Sequence, residues 1–145
     1  MSITRREERM NAFLMLFEMT FGDDSLEAHL ENARESRDTE LTPFSLQLVN
    51  GVTENVIAID EKLEAHLENW HLNRVSRTEL TAMRMAAYEI LFCEEIPNSV
   101  AINEAVECAK TFAGEDAGAF VNGVLGGLFR EIEQQRDAAE AAKTE

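Results

Sequence analysis

Apolar residues recur along this chain at intervals of three and four positions, the spacing that gathers side chains on one face of an α-helix. The first such run follows the tetrapeptide TRRE at positions 4–7, in which the Thr hydroxyl and the Glu carboxylate can form a reciprocal helix cap. No segment alternates apolar and polar residues for long enough to predict a strand. We therefore predict an all-α fold, and the apolar face of its first helix is formed by Met10, Phe13, Leu14, Phe17 and Phe21.

Capping residues and helix breakers divide the rest of the pattern. Thr42 precedes Pro43, and proline at the first helical position loses no hydrogen bond, so this pair predicts a helix start. Asp60 is predicted to cap the next helix, and Ser76 with Glu79 forms a second capping box. About seven helices are predicted in this way: 4 to about 22, 25–35, 42 to about 56, 60 to about 70, 76–92, 102–112, and 116 to beyond 130.

The composition is that of one globular domain, 1–145, because 45% of the 145 residues are hydrophobic and 28% are charged. Residues 131–145 are rich in Glu, Gln, Ala and Lys, which predicts either a solvated extension of the last helix or a frayed tail. No apolar run reaches the ~20 residues of a membrane span and no signal segment is evident, so we expect a cytoplasmic protein. The heptapeptide LEAHLEN at 26–32 recurs at 63–69 with unrelated flanks, which indicates two similar helices rather than a repeat array.

Few residues are arranged for catalysis or for cofactor binding. The chain has no glycine-rich phosphate loop after a strand, no paired-cysteine motif, and no Ser or Cys nucleophile with an evident His and Asp. Cys93 and Cys108 are predicted to be buried, reduced thiols, and a metal site built from His29, His66 and His71 is not expected. The sequence therefore predicts a protein without enzyme activity, cofactor or metal.

The charge balance is strongly acidic, since 28 acidic and 13 basic residues give a formal charge of −15, which repels RNA from the average surface. Arg5, Arg6 and Arg9 nevertheless project from one side of the predicted first helix and form a local basic patch. Cations near a helix start oppose the helix dipole, so we expect alanine at all three positions to leave folding unharmed. Before any resemblance is considered, this patch has two interpretations, an RNA-binding surface and an ordinary solvated helix face.

Two segments carry a family resemblance: VAINEAVECAK at 100–110 and FVNGVL at 120–125. Together with Tyr88-Glu89 and the Arg-Arg-x-x-Arg-x-x-Ala pattern that begins at Arg5, they closely resemble the NusB family of bacterial transcription antitermination factors. The resemblance covers nearly the whole chain and is strongest over 51–125. It implies an all-helical fold of two small packed bundles that binds boxA RNA together with the ribosomal protein NusE, without catalysis, near the elongating RNA polymerase that transcribes ribosomal RNA.

The resemblance also implies which residues form the site. The RNA-contacting residues would be Arg5, Arg6, Arg9, Phe17, Asp116, Phe120 and Asn122. The surface for NusE would include Glu79, Tyr88 and Glu89. This chain departs from the family at four positions: Leu14 stands where the family often has Gln, Phe17 where it often has Tyr, and Glu7 and Glu8 where it often has a small or basic residue. We therefore expect weak RNA binding in the absence of the partner.

Other interpretations stay open at this point. An acidic protein-interaction adaptor with weak or lost RNA binding is favoured by the −15 charge and disfavoured by the arginine patch. The helical module that precedes the catalytic domain of a ribosomal-RNA cytosine methyltransferase is disfavoured, because no cofactor-binding domain follows Glu145. Both a monomer and a homodimer fit the pattern. We also expect Asn103 to be buried and to cap or bridge the sixth helix, because a buried amide needs partners.

Overall fold

The computed structural model describes residues 3–22, 31, 41–68 and 71–143. Within them it contains α-helices, one short 3-10 turn at Leu72–Arg74 and no β-strand, which confirms the all-α prediction. The predicted helix over 25–35 lies outside the described residues except for residue 31, and Trp70 also lies outside them. The described helices are α1 (Arg5–Met19), α2 (Pro43–Glu54), α3 (Val56–Glu64), α4 (Arg77–Phe92), α5 (Asn98–Ala113) and α6 (Glu115–Lys143).

Helix α4 is the centre of the fold, because it packs against α1, α2, α3, α5 and α6. Helix α1 packs against α2, and α5 packs extensively against α6, so α4 joins two groups of helices. Nine of the 16 residues of α4 are buried, including the polar Thr81 and Glu89. A helix with neighbours on several sides buries most of its circumference, which explains why the apolar positions of α4 do not form a single narrow stripe.

Three predicted helix starts are confirmed. The Thr4 hydroxyl accepts from the backbone N–H of Glu7 at 3.1 Å, while the Glu7 carboxylate accepts from the Thr4 N–H at 3.3 Å. Thr42 caps α2 through its side chain. Ser76 caps α4 by accepting from the N–H of Glu79 at 3.2 Å, and its hydroxyl donates to the Glu79 carboxylate at 2.6 Å. Each cap pairs backbone donors that the first helical turn leaves free.

The predicted cap at Asp60 is wrong. Helix α3 already begins at Val56, and Asp60 lies inside it. Both carboxylate oxygens of Asp60 accept from Arg84 of α4, at 2.9 and 2.8 Å. A bidentate ion pair of this kind holds the aspartate within the helix through a contact between helices, which the local sequence pattern does not encode.

Helix α5 differs from its prediction in two ways. It begins at Asn98 rather than at residue 102, with Pro97 in the capping position. Asn103 is exposed on this helix, so the prediction that it is buried is wrong. The segment around Asn103 alternates buried and exposed positions with the helical period, and Ala101, Ala105 and Ala109 form the buried stripe instead.

Helix α6 is the longest of the described helices, and it continues past Glu131 to Lys143. The Glu131 carboxylate accepts from Lys62 at 2.7 Å and lies 2.9 Å from Nε2 of His66, which ties α6 to the end of α3. The hydrogen bond from Lys62, and after it the bond with His66, lower the pKa of Glu131. Among the described residues, every helix is too short or too polar to span a lipid bilayer.

Candidate nucleic-acid and partner interface

Arg5 lies at the edge between α1 and α2. Its side chain is 58% exposed, and its Nη1 donates to the Glu8 carboxylate at 3.4 Å. The guanidinium carbon sits 3.8 Å from the centroid of the Phe44 ring, close enough for a cation–π contact. Glu8 also accepts from the Thr42 hydroxyl, so this edge links the start of α1 to the cap of α2.

Arg6 lies at the opposite edge of α1, against α5. Its Nε and Nη2 donate to the two carboxylate oxygens of Glu104, both at 3.1 Å. The Arg6 side chain is 70% exposed, so the pair is open to solvent and to a ligand. The hydrogen bond with Glu104 and its charge raise the pKa of Arg6 above the ordinary value.

Arg9 differs from the two preceding arginines because it is buried, with 8% of the residue exposed. Its Nε donates to both carboxylate oxygens of Glu89 at 3.2 and 3.1 Å, and its Nη2 donates to one of them at 2.6 Å. Glu89, on α4, is itself 2% exposed. The structure thus joins one residue predicted to contact RNA with one predicted to contact a partner, in an ion pair between α1 and α4.

Phe17, the aromatic residue predicted at the RNA face, is half-buried in a row of rings. It stacks on Phe13 with the centroids 5.8 Å apart, and it meets Phe21 edge-on at 5.1 Å. Phe13 in turn stacks on Phe112 of α5 at 5.3 Å. Shortly after Phe112, Gly114 turns the chain with a φ of 94°, a left-handed conformation that favours glycine, and α6 begins.

The remaining RNA candidates lie in the first turns of α6. Asp116 and Asn122 are exposed, whereas Phe120 is half-buried against the core. The contact between Phe13 and Phe112 brings the end of α5 against α1, which draws the α5–α6 junction toward the aromatic row. The two predicted sets of RNA residues therefore belong to neighbouring parts of the described structure, one set on α1 and the other on α6.

The predicted partner residues on α4 occupy very different environments. Glu79 is half-buried at the helix cap. Tyr88 is 8% exposed, its ring fits against the backbone of Gly51, and its hydroxyl accepts from the Gln47 amide at 3.4 Å. Burial raises the pKa of Tyr88. Only Glu79 among the three predicted residues is accessible to a partner to any large extent, since Glu89 is buried as well.

A cleft of about 130 Å³ lies between α1, α4 and α5, beside the Arg9–Glu89 pair. Cys108 lines it, and burial raises the pKa of this thiol to about 12, so the thiol is protonated at neutral pH. Cys93 and Cys108 are both free; Cys93 is buried as predicted, whereas Cys108 is only partly buried. Within the described residues, no group of three or more His, Cys, Asp or Glu side chains is arranged to hold a metal ion.

The sequence did not single out Phe44 and Glu104, although both touch the predicted arginines. Glu104 lies in the segment VAINEAVE, which carries the family resemblance. Its place in that segment was the one indication in the sequence that it could belong to the site. Phe44 directly follows the Thr42-Pro43 helix start, a place where an aromatic ring is easily assigned to the core. Their partners lie far away in sequence, so spacing alone does not predict these contacts.

The fold and the arginines of α1 define a class of protein: all-helical and acidic, with an arginine-rich first helix that packs against a buried central helix. A model of the NusB family matches residues 6–130. The chain belongs to the NusB family, which confirms the resemblance seen in the sequence.

Individual relatives agree with this assignment. The chain is 41% identical over 132 residues to transcription antitermination protein NusB of Clostridium novyi, covering 88% of this chain and 99% of that protein. It is 41% identical over 123 residues to the protein of the same name from Oceanobacillus iheyensis, covering 85% and 96%. Among solved structures, T. maritima NusB has a TM-score of 0.81 at 38% identity, covering 90% of this chain and 94% of that chain. A chain from a complex of antitermination factors NusB and NusE with double-stranded RNA has a TM-score of 0.79 at 25% identity, covering 88% and 96%.

Proposed function

We propose that the protein is a transcription antitermination factor that binds boxA RNA together with NusE and positions both at elongating RNA polymerase, in support of ribosomal RNA transcription. The observation that carries this proposal is membership of the NusB family over residues 6–130. The names of the relatives at 41% identity support it, and the complex of NusB and NusE with RNA supports both partners. In this proposal the protein acts in the cytoplasm, without a cofactor and without catalysing a reaction.

In the proposed RNA face, Arg5 and Arg6 make the direct phosphate contacts, because their guanidinium groups are exposed at the two edges of α1. Arg9 supports this face from inside, since its bonds to Glu89 hold α1 against α4. A second part of the proposed RNA face would be formed by Phe17, Asp116, Phe120 and Asn122. The exposed Asp116 carboxylate suits a base amino group, which donates a hydrogen bond, rather than a phosphate.

The proposed surface for NusE centres on α4. Glu79 would contact the partner directly from the first turn. Tyr88 and Glu89 would act through the position of the helix, because both are buried. A ribosomal protein that carries basic residues is complementary to a chain with a formal charge of −15.

This charge leads to the first prediction, that binding of RNA and NusE is cooperative. An isolated chain with this charge repels RNA, whereas a basic partner lowers the repulsion and adds contacts of its own. We expect boxA RNA to bind more tightly in the presence of saturating NusE, by roughly 5- to 150-fold if the coupling is of typical size. Fluorescence anisotropy of a labelled boxA oligonucleotide, titrated with and without NusE, measures this difference, and equal affinities would contradict the cooperative mechanism.

The same titration separates antitermination from the acidic adaptor that the charge also favours. Arg5→Ala combined with Arg6→Ala removes two exposed cations and leaves the buried Arg9 in place. If both contact phosphates, the slope of log affinity against log salt falls by about 0.7 for each lost contact on a single strand, while NusE binding persists. An unchanged slope and affinity would favour the adaptor.

Glu104 supplies a second prediction for this face. Its carboxylate occupies two nitrogens of Arg6 and adds a negative charge beside the proposed path of the RNA. We expect Glu104→Gln to raise the RNA affinity of the isolated chain roughly three- to fivefold, as expected for one charge removed at contact distance in water. Glu133→Gln is the matched control, because it causes the same change in net charge at an exposed pair with Arg136 on α6. Equal affinities of the two variants would contradict a role for Glu104 at the RNA face.

A further inference from the structure

The stack of Arg5 on Phe44 has a shape that suits a further flat group. Phe44 covers one face of the guanidinium at 3.8 Å, and Glu8 holds one edge at 3.4 Å. The side chain is nevertheless 58% exposed, so the accessible part is the other face and the remaining edge. An arginine plane held in this way can stack on a nucleic-acid base.

An open pocket of about 480 Å³ adjoins this stack. Pro43, Phe44 and Ile96 form its apolar part. Glu8, Gln47 and Glu95 supply the polar part. The Gln47 amide nitrogen donates to the Tyr88 hydroxyl, so its carbonyl oxygen is the end of this side chain that can accept. The exposed carboxylate of Glu95 supplies a second acceptor, whereas both oxygens of Glu8 are already engaged by Arg5 and Thr42. An apolar lining with acceptors at its rim matches a base that carries an exocyclic amino group.

The charges of the pocket select the kind of occupant. An acidic peptide would meet the carboxylates of Glu8 and Glu95. A neutral base avoids this repulsion, and its flat ring uses the guanidinium face as well as the acceptors of the pocket. Phe17 offers less for stacking than Phe44 with Arg5, because it already contacts Phe13 and Phe21.

We propose that the Arg5–Phe44 stack holds one unstacked, amino-bearing base of the bound RNA, with the base lying on the free face of the guanidinium and its amino group toward the acceptors of the pocket. This assignment rests on the proposed RNA-binding function and names the contact that anchors the RNA at the α1–α2 edge.

Two conservative variants test it. Arg5→Lys keeps the charge and removes the plane, and Phe44→Leu keeps an apolar side chain and removes the ring. With NusE present, each is expected to weaken boxA binding by roughly 5- to 150-fold, the range measured for one stacked base. The salt dependence should stay unchanged, because neither variant removes a cation. In a series of oligonucleotides with 2-aminopurine at successive positions, one position should show a change of fluorescence on binding to the wild-type protein that both variants lose.

The chain contains a matched control. Arg77 lies 4.4 Å over the ring of Phe21, an exposed cation–π pair near the other end of α1. Arg77→Lys, which keeps the charge and removes the plane as Arg5→Lys does, is expected to leave the RNA affinity and the fluorescence unchanged. Thermal melting of every variant checks folding, and the exposed position of Arg5 keeps Arg5→Lys informative even if Phe44→Leu is unstable.

The outcomes distinguish this assignment from the function on which it rests. If wild-type protein with NusE binds boxA RNA and both test variants bind equally well with the same fluorescence change, the stack is not a base site, although the proposed function stands. If the variants weaken NusE binding in the absence of RNA and leave RNA binding intact, the pocket belongs to the protein partner and the assignment is overturned. If wild-type protein binds neither RNA nor NusE, both proposals fail.

Discussion

Arg9→Ala is expected to lower the free energy of unfolding by about 3–5 kcal/mol, the usual cost of removing one partner of a buried ion pair. The loss would leave the carboxylate of Glu89, which is 2% exposed, without the donors that now bind it at 2.6 to 3.2 Å. Urea or thermal unfolding followed by circular dichroism measures the change. The prediction from the sequence that alanine at all three arginines leaves folding unharmed therefore needs correction at Arg9.

Two controls make this result specific. Arg6→Ala, in the exposed pair with Glu104, is expected to change stability little, because solvent screens such pairs. Replacing both buried partners, as Arg9→Met with Glu89→Leu, is expected to recover most of the lost stability, since no unpaired charge is left inside. A stability loss for Arg9→Ala no larger than that for Arg6→Ala would contradict the buried-pair argument.

Gly51→Ala is expected to destabilise the protein by about 1–3 kcal/mol or more, although alanine is the better helix former. A Cβ at this position of α2 would overlap Cε1 and Cζ of the Tyr88 ring on α4. Tyr88 is buried and stacks on Phe92 with the centroids 5.5 Å apart, so its ring has little freedom to move aside. Unfolding in denaturant measures the loss: the midpoint of the transition should fall while its dependence on denaturant concentration, the m value, stays the same.

Gly123→Ala is the matched control, because no atom lies within 4 Å of a Cβ added at this position of α6. That variant is expected to stabilise the protein by about 0.5–1 kcal/mol, through the lower backbone entropy of alanine. In a Tyr88→Leu background, Gly51→Ala should cost much less than in the wild type, because the smaller side chain leaves room for the methyl group. Equal costs in both backgrounds would show that the clash is not with Tyr88.

The candidate site was only partly predictable. Helical spacing predicted one patch of Arg5, Arg6 and Arg9, but this is wrong, because Arg5 and Arg6 lie at opposite edges of α1 and Arg9 is buried. The family role of these arginines follows from the resemblance. Arg9 has the same spacing and the same residue type, but its partner is 80 positions away. The pairing of Arg6 with Glu104 spans 98 positions. Nothing in the first helix indicates which arginine faces inward, because that depends on where α4 and α5 lie.

What the sequence by itself determined is local. The hydroxyls of Thr4, Thr42 and Ser76 mark helix starts because a cap involves residues three positions apart, and the helical period needs only a few turns. The tertiary structure decided what each polar side chain does. Asp60 became part of a helix instead of its cap, because Arg84 meets it there. Arg9 and Glu89 became an interior pair, because burial in a medium of low dielectric makes each charge require the other, and only packing brings them together.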